Sequence, residues 1–583
     1  MKYIVLVLTL LSYLLLGGLT QAANKAEASK AGKITVYLAK NIVTMDQTNP
    51  EATAVAIRDG RILSVGSLES LQPWLVNNSY SIDKQFENNV LFPGLIDPHL
   101  HPMLAALQLS MTWITPESWN VLNEEIKAVR TPEKYWQRLA EEVEKDADSS
   151  TPIFITWGWS KPEHGPVTRQ MLDKLPTDKP IMVWQRSLHE AVYNTAALKW
   201  MKLLDKKISE EYNETVDMET GYFMEAGFFE VAAPHISPYL LSPAFIDGGF
   251  AKLSQYVNES GVTTVADMAF GGANWDLETT NYQRNLIEKN VPYRTVLVPD
   301  AYKLSLQKGG LDKSFEMVNE RLTKASDAPQ LVHGKRIKMF SDGAMFSLLM
   351  QMNEPGYIDG HKGQWITQPE KLLKQARKYW NAGYKIHIHS NGDAGIDNTL
   401  DVLEQLQLET PRPPHNLVIE HYGYADDRIN HRTAKLGAGV SANPYYHHLL
   451  GDSYSQIGLG ADRAKRLVPL SGLVDLGVPV TLHSDFGMAP AQPFLLAWAA
   501  ATRTTLSGRQ DIPPRALTVP EALKAITVNA AYTLGLEKDI GSIASGKKAD
   551  FVVLDVNPFD VKAEQLKDIK ILNTIFEGRI SQL

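Results

Sequence analysis

The sequence predicts an α/β fold, namely a (β/α)8 TIM-like barrel with a small β-sandwich formed by both termini and an inserted α/β subdomain. Through the middle of the chain, short apolar segments alternate with helical stretches, which is typical of a parallel sheet. Short alternating strands stand at both ends of the chain. The first two central strands are separated by far more residues than one crossover helix needs, and this gap indicates an insertion.

Eight strand candidates lie in the central part, which is the number that a (β/α)8 barrel requires. Each is a short apolar run bounded by polar or turn-forming residues. They lie near residues 90–101, 263–269, 293–299, 336–343, 385–393, 417–423, 437–443 and 480–485. We therefore assign residues 91–534 to the barrel and residues of about 110–245 to the insertion.

The two ends of the chain share one pattern, which predicts a small β-sandwich made of residues 34–90 and 535–583. Near the start, ATAVAIRDGRILSVG alternates apolar and polar residues around Asp59-Gly60, a pair that favours a hairpin turn. Near the end, FVVLDV and ILNTIFEGRI alternate in the same way. Two unrelated edge hairpins are the alternative that this pattern leaves open.

The N-terminus has the layout of a secretory signal. Lys2 precedes an apolar run from Ile4 to Leu19, and small residues follow up to Ala23. We expect residues 1–23 to be a signal peptide and the mature protein to be exported, periplasmic or secreted, without a stable membrane span. An uncleaved anchor is the alternative, because the apolar run is only slightly short for a spanning helix.

Composition excludes several classes of function. A formal charge of −8 over 583 residues, with no basic face, makes nucleic acid a poor partner. Because the chain has no cysteine, it can form no disulfide, thiolate metal site or thiol nucleophile. Any metal must be held by histidine, carboxylate or a modified side chain. We expect a small-molecule substrate. The sequence leaves open whether the chain forms a homo-oligomer.

Side chains that can hold a metal collect at the carboxyl ends of the predicted strands. In a β/α barrel this end forms the active-site rim, which is assembled from different strands. Residues two apart in a strand point the same way, so the pair on the first strand can project together. Several imidazoles and a carboxylate are the ligands expected for zinc or a similar divalent ion. The candidates are His99 and His101 on the first strand, Lys338 on the fourth, His389 on the fifth, His421 on the sixth and Asp485 on the eighth.

These candidates also have structural alternatives. A single His-x-His pair is a weak signal, and a lone buried histidine is more often a hydrogen-bonded core residue. We interpret His387 and His483 in this way, because each shares a face with a candidate ligand but lies one step deeper. Lys338 could be an interior lysine paired with Asp342. The coincidence of four histidines and one aspartate at the same end of separate strands favours a metal site.

Several longer motifs add to this pattern. They are FPGLIDPHLH at 92–101, LHEAVYN at 188–194, GVTTV at 261–265, KMFSDG at 338–343, HSNGD at 389–393, EH at 420–421, SD at 484–485 and GSIASGKKAD at 541–550. With these motifs the chain resembles the amidohydrolase superfamily, and within it the amidohydrolase-3, YtcJ-like group. The resemblance covers most of the chain after the N-terminal leader, and its first and last motifs are the most specific.

The resemblance implies a barrel with one or two divalent ions, usually zinc. It implies hydrolysis of an amide or another non-peptide C–N bond by metal-activated hydroxide. Transferred position by position, it places His99 and His101 on the more buried ion. It places His389 and His421 on the second ion.

The same resemblance gives roles to three further residues. Lys338 would be N-carboxylated and would bridge the two ions. Asp485 would be a ligand and the general base, accepting the proton of the nucleophile and passing it to the departing amine. His189 resembles the insert histidine of the family, and it either contacts the substrate or packs the insert against the barrel.

The bond that is cleaved stays open at this point. A deaminase, or an ester or lactone hydrolase, could use the same site, and a non-catalytic regulatory protein could keep the same scaffold. The residues after Asp342-Gly343 and after Ser484-Asp485 depart from the family pattern. Because both departures alter the rim of the predicted site, the resemblance does not predict the substrate.

Overall fold

The computed structural model describes residues 32–122, 124–147, 149–322 and 328–581. The predicted signal peptide, residues 1–23, lies outside the described residues. Within the described ranges, no helix combines the length and the apolar character that a bilayer span requires.

Eight parallel strands, named β1 to β8 in chain order, form the central part of the molecule. Their neighbours in space follow the chain order within two sheets, one containing β1 to β3 and the other β4 to β8. All eight strand candidates of the sequence are thus confirmed as strands of an α/β fold. Their bounds are β1 Leu95–Leu100, β2 Val262–Phe270, β3 Arg294–Pro299, β4 Arg336–Phe340, β5 Lys385–Ser390, β6 Leu417–His421, β7 Gly439–Ala442 and β8 Val480–Leu482.

The two parallel sheets meet through backbone contacts on both sides. The short strand Leu331–Val332 pairs with β3 and ends the first sheet. Asp300, the residue after β3, forms a parallel bridge with Lys338 of β4. On the other side, the N–H of Asp485 donates to the carbonyl oxygen of His99, 2.9 Å away. The carboxyl ends of β1 and β8 therefore lie side by side.

Helices follow the parallel strands, and polar side chains start several of them. Asp300 accepts a hydrogen bond from the N–H of Lys303, and Asp426 accepts one from the N–H of Ile429, so each caps the helix that follows it. The α-helices of this part are Pro102–Leu109, Pro243–Glu259, Trp275–Tyr282, Ala301–Lys308, Leu311–Leu322, Pro369–Asn381, Asp393–Glu409, Asp427–Leu436, Tyr445–Ser453, Ala461–Ala464, Leu470–Asp475, Pro493–Thr502, Val519–Ala525 and Val528–Thr533.

The first strand candidate, near residues 90–101, is two strands rather than one. Val90–Pro93 belongs to the sheet of the chain termini, where it pairs antiparallel with Phe551–Leu554. Gly94 separates it from β1, and a Cβ at this position would come within 2.3 Å of Thr263 Oγ1. A run of apolar residues does not reveal such a change of partner. The predicted boundary between the domains therefore falls inside a strand of the terminal sheet.

Both ends of the chain join one eight-stranded sheet, so the alternative of two unrelated hairpins is wrong. Asp59 and Gly60 connect two of its strands, and their φ angles of 52° and 74° confirm the predicted tight turn. The strands are Ile34–Val43, Glu51–Arg58, Arg61–Gly66, Tyr80–Asp83, Val90–Pro93, Phe551–Leu554, Ile571–Phe576 and Arg579–Ser581.

The predicted insertion contains a sheet of its own and a small hairpin, Trp119–Val121 with Glu124–Ile126. Its longest helix lies where the sequence reads PEKYWQRLAEEVEKD. The strands of the sheet are Thr112–Trp113, Phe154–Trp159, Ile181–Gln185, Glu190–Tyr193, Val216–Asp217 and Tyr222–Met224. The α-helices are Pro132–Asp146, Lys161–His164, Arg169–Leu172, Thr195–Trp200 and Ala233–Leu240.

Candidate metal centre

Five histidine rings form one cluster at the carboxyl ends of β1, β5, β6 and β8. The ring centroid of His99 lies 4.4 Å from that of His483 and 4.7 Å from that of His421. The ring centroids of His101 and His99 are 5.3 Å apart, and those of His389 and His421 are 4.4 Å apart. The structure thus brings the four predicted histidines together and adds His483 to them.

Two groups of side chains in this cluster have the spacing of metal ligands. In one group His99, His421 and His483 each offer a ring nitrogen. In the other, His99 and His101 offer nitrogens and Asp485 offers an oxygen. The donor atoms of each group lie within 4.8 Å of one another, and zinc binds nitrogen and oxygen at about 2.0–2.2 Å. The donor set therefore fits a divalent cation.

Burial keeps four imidazoles of this cluster neutral. Loss of solvent lowers the pKa of His99 and of His421 well below the usual value. It lowers the pKa of His483 to about 4 and that of His389 to about 3, and the positive charge of Lys338 contributes in each case. A neutral imidazole keeps the lone pair that a metal shares, so these rings can bind a cation without losing a proton first.

Glu420 contacts a candidate ligand, and the sequence interpretation included it in a motif without giving it a role. Its carboxylate is fully buried, and it accepts hydrogen bonds from Nδ1 of His99 at 2.8 Å and from Nδ1 of His387 at 2.7 Å. Burial raises the pKa of Glu420, but the hydrogen bond from His387 and the nearby positive charge of Lys338 are among the interactions that together outweigh burial, and the pKa is lowered. The ionised carboxylate holds His99 in the tautomer that leaves Nε2 free for the cluster.

The backbone at the end of β6 explains how two consecutive side chains, Glu420 and His421, both reach the cluster. In a regular strand they would point to opposite faces of the sheet. His421 instead has a φ of 77°, in the left-handed region that non-glycine residues rarely adopt. From the sequence alone, the alternation of side chains along a strand would place Glu420 and His421 on opposite faces, so it could not predict that both reach the cluster.

The two deeper histidines differ in what they contact. His387 is a hydrogen-bonded core residue, as the sequence predicts, because its Nδ1 donates to Glu420. His483 lies nearer the candidate ligands, with Nε2 3.3 Å from Nδ1 of His421 and Nδ1 2.7 Å from Oγ of Ser441. β8 ends one residue before it, so strand alternation no longer sets its direction. His483 is therefore a buried, hydrogen-bonded residue, as the sequence predicts, that also has the spacing of a metal ligand.

Asp485 occupies the edge of the cluster in an unusual backbone conformation. Its φ is 50°, its Oδ1 lies 3.3 Å from Nε2 of His101, and the hydroxyl of Tyr446 donates to Oδ2 at 3.5 Å. Burial raises the pKa of Asp485, but the hydrogen bond from His101 and the nearby positive charge of Lys338 are among the interactions that together outweigh burial, and the pKa is lowered. The carboxylate is therefore ionised at neutral pH and can accept a proton.

A second buried carboxylate, Asp97, holds the loop that carries Asp485 against β1. It accepts a hydrogen bond from the N–H of Ser484 at 3.1 Å and another from the hydroxyl of the same serine. Burial raises the pKa of Asp97 to about 7. The sequence contained a signal for this residue, because it lies on the same face of the strand as His99.

Lys338 lies beside the cluster on β4 and is fully buried. Among the described residues its Nζ has no hydrogen-bond partner. Burial lowers the pKa of Lys338 to about 8, although nearby carboxylates raise it. The alternative of a pair with Asp342 is wrong, because Asp342 accepts hydrogen bonds from three backbone N–H groups at 2.8 Å instead. N-carboxylation of Lys338 stays a prediction.

His189 belongs to neither group of candidate ligands. Its side chain is 48% exposed, and its Nδ1 lies 3.0 Å from Oε2 of Glu225. Its ring packs edge-on against Phe229, with the centroids 5.2 Å apart. Both partners are residues of the insert. Contact between His189 and a substrate stays a prediction.

Arg186, which the sequence interpretation missed, links the insert to the loop that carries Asp485. Its Nε donates to Oε1 of Glu117 at 2.7 Å, and its Nη1 donates to the carbonyl oxygen of Gly487. Its guanidinium lies 4.8 Å from the ring centroid of Phe346, which follows β4. One buried side chain thus joins three segments that are distant in the sequence, and no short motif could have indicated it.

The family model described as the amidohydrolase family matches residues 86–582. The match covers most of the chain and includes every residue of the cluster described above. The chain therefore belongs to the amidohydrolase family, as its motifs indicated, and is a hydrolase of that family.

Two relatives and one solved structure are similar to most of this chain. The protein LONG AFTER FAR-RED 3 of Arabidopsis thaliana is 26% identical over 97% of this chain and 94% of its own. The N-substituted formamide deformylase of Arthrobacter pascens is 24% identical over 92% of this chain and 96% of its own. The structure of an uncharacterised metal-dependent hydrolase from Pyrococcus horikoshii OT3 is 21% identical, has a TM-score of 0.70 and covers 91% of this chain and 99% of that one. That likeness shows a shared fold.

We expect His483→Asn to weaken the binding of zinc more than His387→Asn does, because His387 acts only through Glu420. Both variants replace a buried imidazole by the same smaller amide, but only His483 offers a nitrogen to the candidate ligands. We expect a loss of at least about 100-fold for His483→Asn, since loss of an outer-shell partner alone costs 10- to 100-fold. Competition with a fluorescent chelator measures the affinity.

Circular dichroism melting checks that both variants are folded before they are compared. Equal zinc affinity in the two folded proteins would contradict the assignment of His483 as a ligand.

Proposed function

We propose that this chain is a metal-dependent amidohydrolase that cleaves an amide or another non-peptide C–N bond at the carboxyl ends of β1, β5, β6 and β8. One observation carries the proposal. The ionised carboxylate of Asp485 lies 3.3 Å from a ring nitrogen of His101, beside the neutral imidazoles of His99, His421 and His483. Metal ligands and a proton acceptor thus meet in one place, as hydrolysis requires.

The proposal includes closure of the eight parallel strands into a (β/α)8 barrel. The consecutive order of the strands supports closure, as do the contacts of β3 with β4 and of β8 with β1. In such barrels the active site is built from the carboxyl ends of several strands, which is where the cluster lies. The terminal sheet would form the predicted small β-sandwich beside it.

Zinc is the metal that we propose, because neutral imidazole nitrogens and carboxylate oxygens are its usual ligands here. His99 would hold it either with His421 and His483 or with His101 and Asp485. A two-ion form would add His389 and an N-carboxylated Lys338. When bound, a divalent ion supplies a Lewis acid that makes water more acidic and polarises a carbonyl group.

Asp485 would move the proton of the reaction. Its ionised carboxylate accepts a proton from the attacking water as the new C–O bond forms on the carbonyl carbon. As the C–N bond breaks, the same carboxyl group returns the proton to the departing nitrogen. One amide and one water thus give one carboxylic acid and one amine.

Small amides of the N-substituted formamide type are the substrate class that we propose. The relative from Arthrobacter pascens is an N-substituted formamide deformylase, and the site offers the two functions that such a reaction needs. Deamination, or ester or lactone hydrolysis, would use the same residues, so rates on a panel of substrates decide between them.

Export of the mature protein, to the periplasm or the medium, is also proposed. The charged, apolar and small-residue regions of residues 1–23 support it. Mass spectrometry of the N-terminus of the protein recovered from its native compartment tests this part of the proposal.

We expect Asp485→Asn to reduce kcat by at least about 100-fold while zinc stays bound. The amide keeps the size of the side chain and one oxygen but cannot take up a proton, and a positioned general base contributes about 10²- to 10⁴-fold. Hydrolysis of a panel of N-substituted formamides, measured together with zinc content, checks this. Asp462→Asn is the control, because that side chain is fully exposed.

Full activity in Asp485→Asn would contradict the role of this carboxylate. Absence of turnover by the zinc-loaded natural protein on formamides, other amides, esters and lactones would instead favour the regulatory alternative.

We expect Arg186→Met to lower kcat by roughly tenfold without loss of zinc. The variant keeps an unbranched, buried side chain but removes the hydrogen bond to Gly487, so the loop that carries Asp485 loses a restraint. A misplacement of about 1 Å in such a group can cost up to 100-fold. Arg138→Met, on a partly exposed helix of the same insert, is the matched control. A change in KM alone would show that Arg186 does not position Asp485.

A further inference from the structure

A second polar site lies at the amino ends of β4, β5 and β6, at the opposite end of these strands from the candidate metal centre. It is a cleft of about 390 Å³, which we name the cationic cleft. Positively charged or protonatable side chains dominate its lining, and Glu537 is its one carboxylate among the described residues. The cationic side chains and histidines are His333, Lys335, Arg336, Lys385 and His415.

Arg336 is the centre of this cleft. Its side chain is only 8% exposed, and its Nε donates to the carbonyl oxygen of Leu534 at 2.6 Å. Within the described part of the chain, its Nη1 and Nη2 have no hydrogen-bond partner. Glycines flank both nitrogens, because a Cβ at Gly334 would lie 2.5 Å from Nη1 and one at Gly535 would lie 3.9 Å from Nη2. Because glycine has no side chain, neither Gly334 nor Gly535 covers these two terminal nitrogens.

Lys385 is the neighbour of Arg336 in the β4–β5 pairing. Its Nζ donates to the carbonyl oxygen of Tyr532 at 2.8 Å. Burial, and then the positive charge of Arg336, lower the pKa of Lys385 to about 8. The two cations thus repel each other in a place where water screens them poorly.

The single carboxylate of the cleft does not neutralise these cations by contact. The charge of Glu537 raises the pKa of Arg336 and of Lys385, yet among the described residues neither forms an ion pair with it. Its Oε2 is buried and has no hydrogen-bond partner there. Buried cations without a counter-charge in contact are unfavourable, and a bound anion would relieve this.

A structural role explains only part of this arrangement. Leu534 and Tyr532 lie at the end of the helix Val528–Thr533, and cations are favourable at a helix carboxyl end. That role uses one N–H of Arg336 and one of Lys385. It leaves the two terminal nitrogens of the guanidinium available, and this is the geometry that binds an oxyanion through two parallel hydrogen bonds.

We propose that the cationic cleft binds a phosphate group, held by Nη1 and Nη2 of Arg336 and by the charge of Lys385. Free phosphate and the phosphate of a larger metabolite present the same oxygens, and the volume of the cleft leaves room for either. The site is independent of the hydrolase activity proposed above, since it lies at the other end of the strands.

The test is calorimetric titration of the zinc-loaded protein with inorganic phosphate at constant ionic strength. Arg336→Met removes the guanidinium, and we expect an affinity at least about tenfold lower, as for loss of a hydrogen bond to a charged group. Glu537→Gln removes the one carboxylate of the cleft, and we expect a severalfold higher affinity. Arg377→Met, an exposed arginine paired with Glu409, is the matched control and should bind phosphate like the natural protein.

Two results would overturn the proposal. One is no heat of binding at about 10 mM phosphate, where a site with a Kd of 1 mM would be nearly saturated. The other is binding that none of these variants changes, which would place phosphate at the metal centre. If Arg336→Met does not fold, Lys385→Met, expected to weaken binding, and Glu537→Gln, expected to strengthen it, still decide the question. A parallel titration with glycerol phosphate distinguishes a metabolite from the free ion.

Discussion

The rest of the candidate site depends on one buried carboxylate. Glu420 is withdrawn completely from solvent, and its two oxygens accept hydrogen bonds from Nδ1 of His99 and of His387. A buried charge without such partners would cost several kcal/mol, so the carboxylate and the two rings fix one another. Because Nδ1 of His99 is used in this way, its Nε2 is the atom that remains for a metal. His99 is a member of both groups of candidate ligands.

Long-range contacts then set the position of Asp485, the proposed proton acceptor. Asp485 has a φ of 50°, a conformation that persists in a non-glycine residue only where the surroundings impose it. Asp97 holds the preceding residue against β1, and Arg186 holds the carbonyl oxygen two residues further on. The insert therefore contacts the candidate site through Arg186, whereas its candidate substrate residue, His189, contacts other residues of the insert.

Local periodicity accounts for what could be predicted from the sequence. The eight strands, the turn at Asp59-Gly60 and the gathering of His99 with His101 all follow from patterns a few residues long. The break at Gly94, the inward turn of His421 and the direction of His483 do not, because each depends on a neighbour far along the chain or on one unusual backbone angle. The family match supports hydrolysis more firmly than it supports any substrate, because the residues at the rim of the site depart from the family pattern.

The most direct test of this account is the position of zinc in crystals of the metal-loaded protein, measured by anomalous diffraction at the zinc absorption edge. The account predicts a strong peak about 2.0–2.2 Å from Nε2 of His99, with His421 and His483, or His101 and Asp485, completing the coordination. Absence of a peak among these side chains, or a peak bound to Nδ1 of His99 with Glu420 displaced, would contradict it.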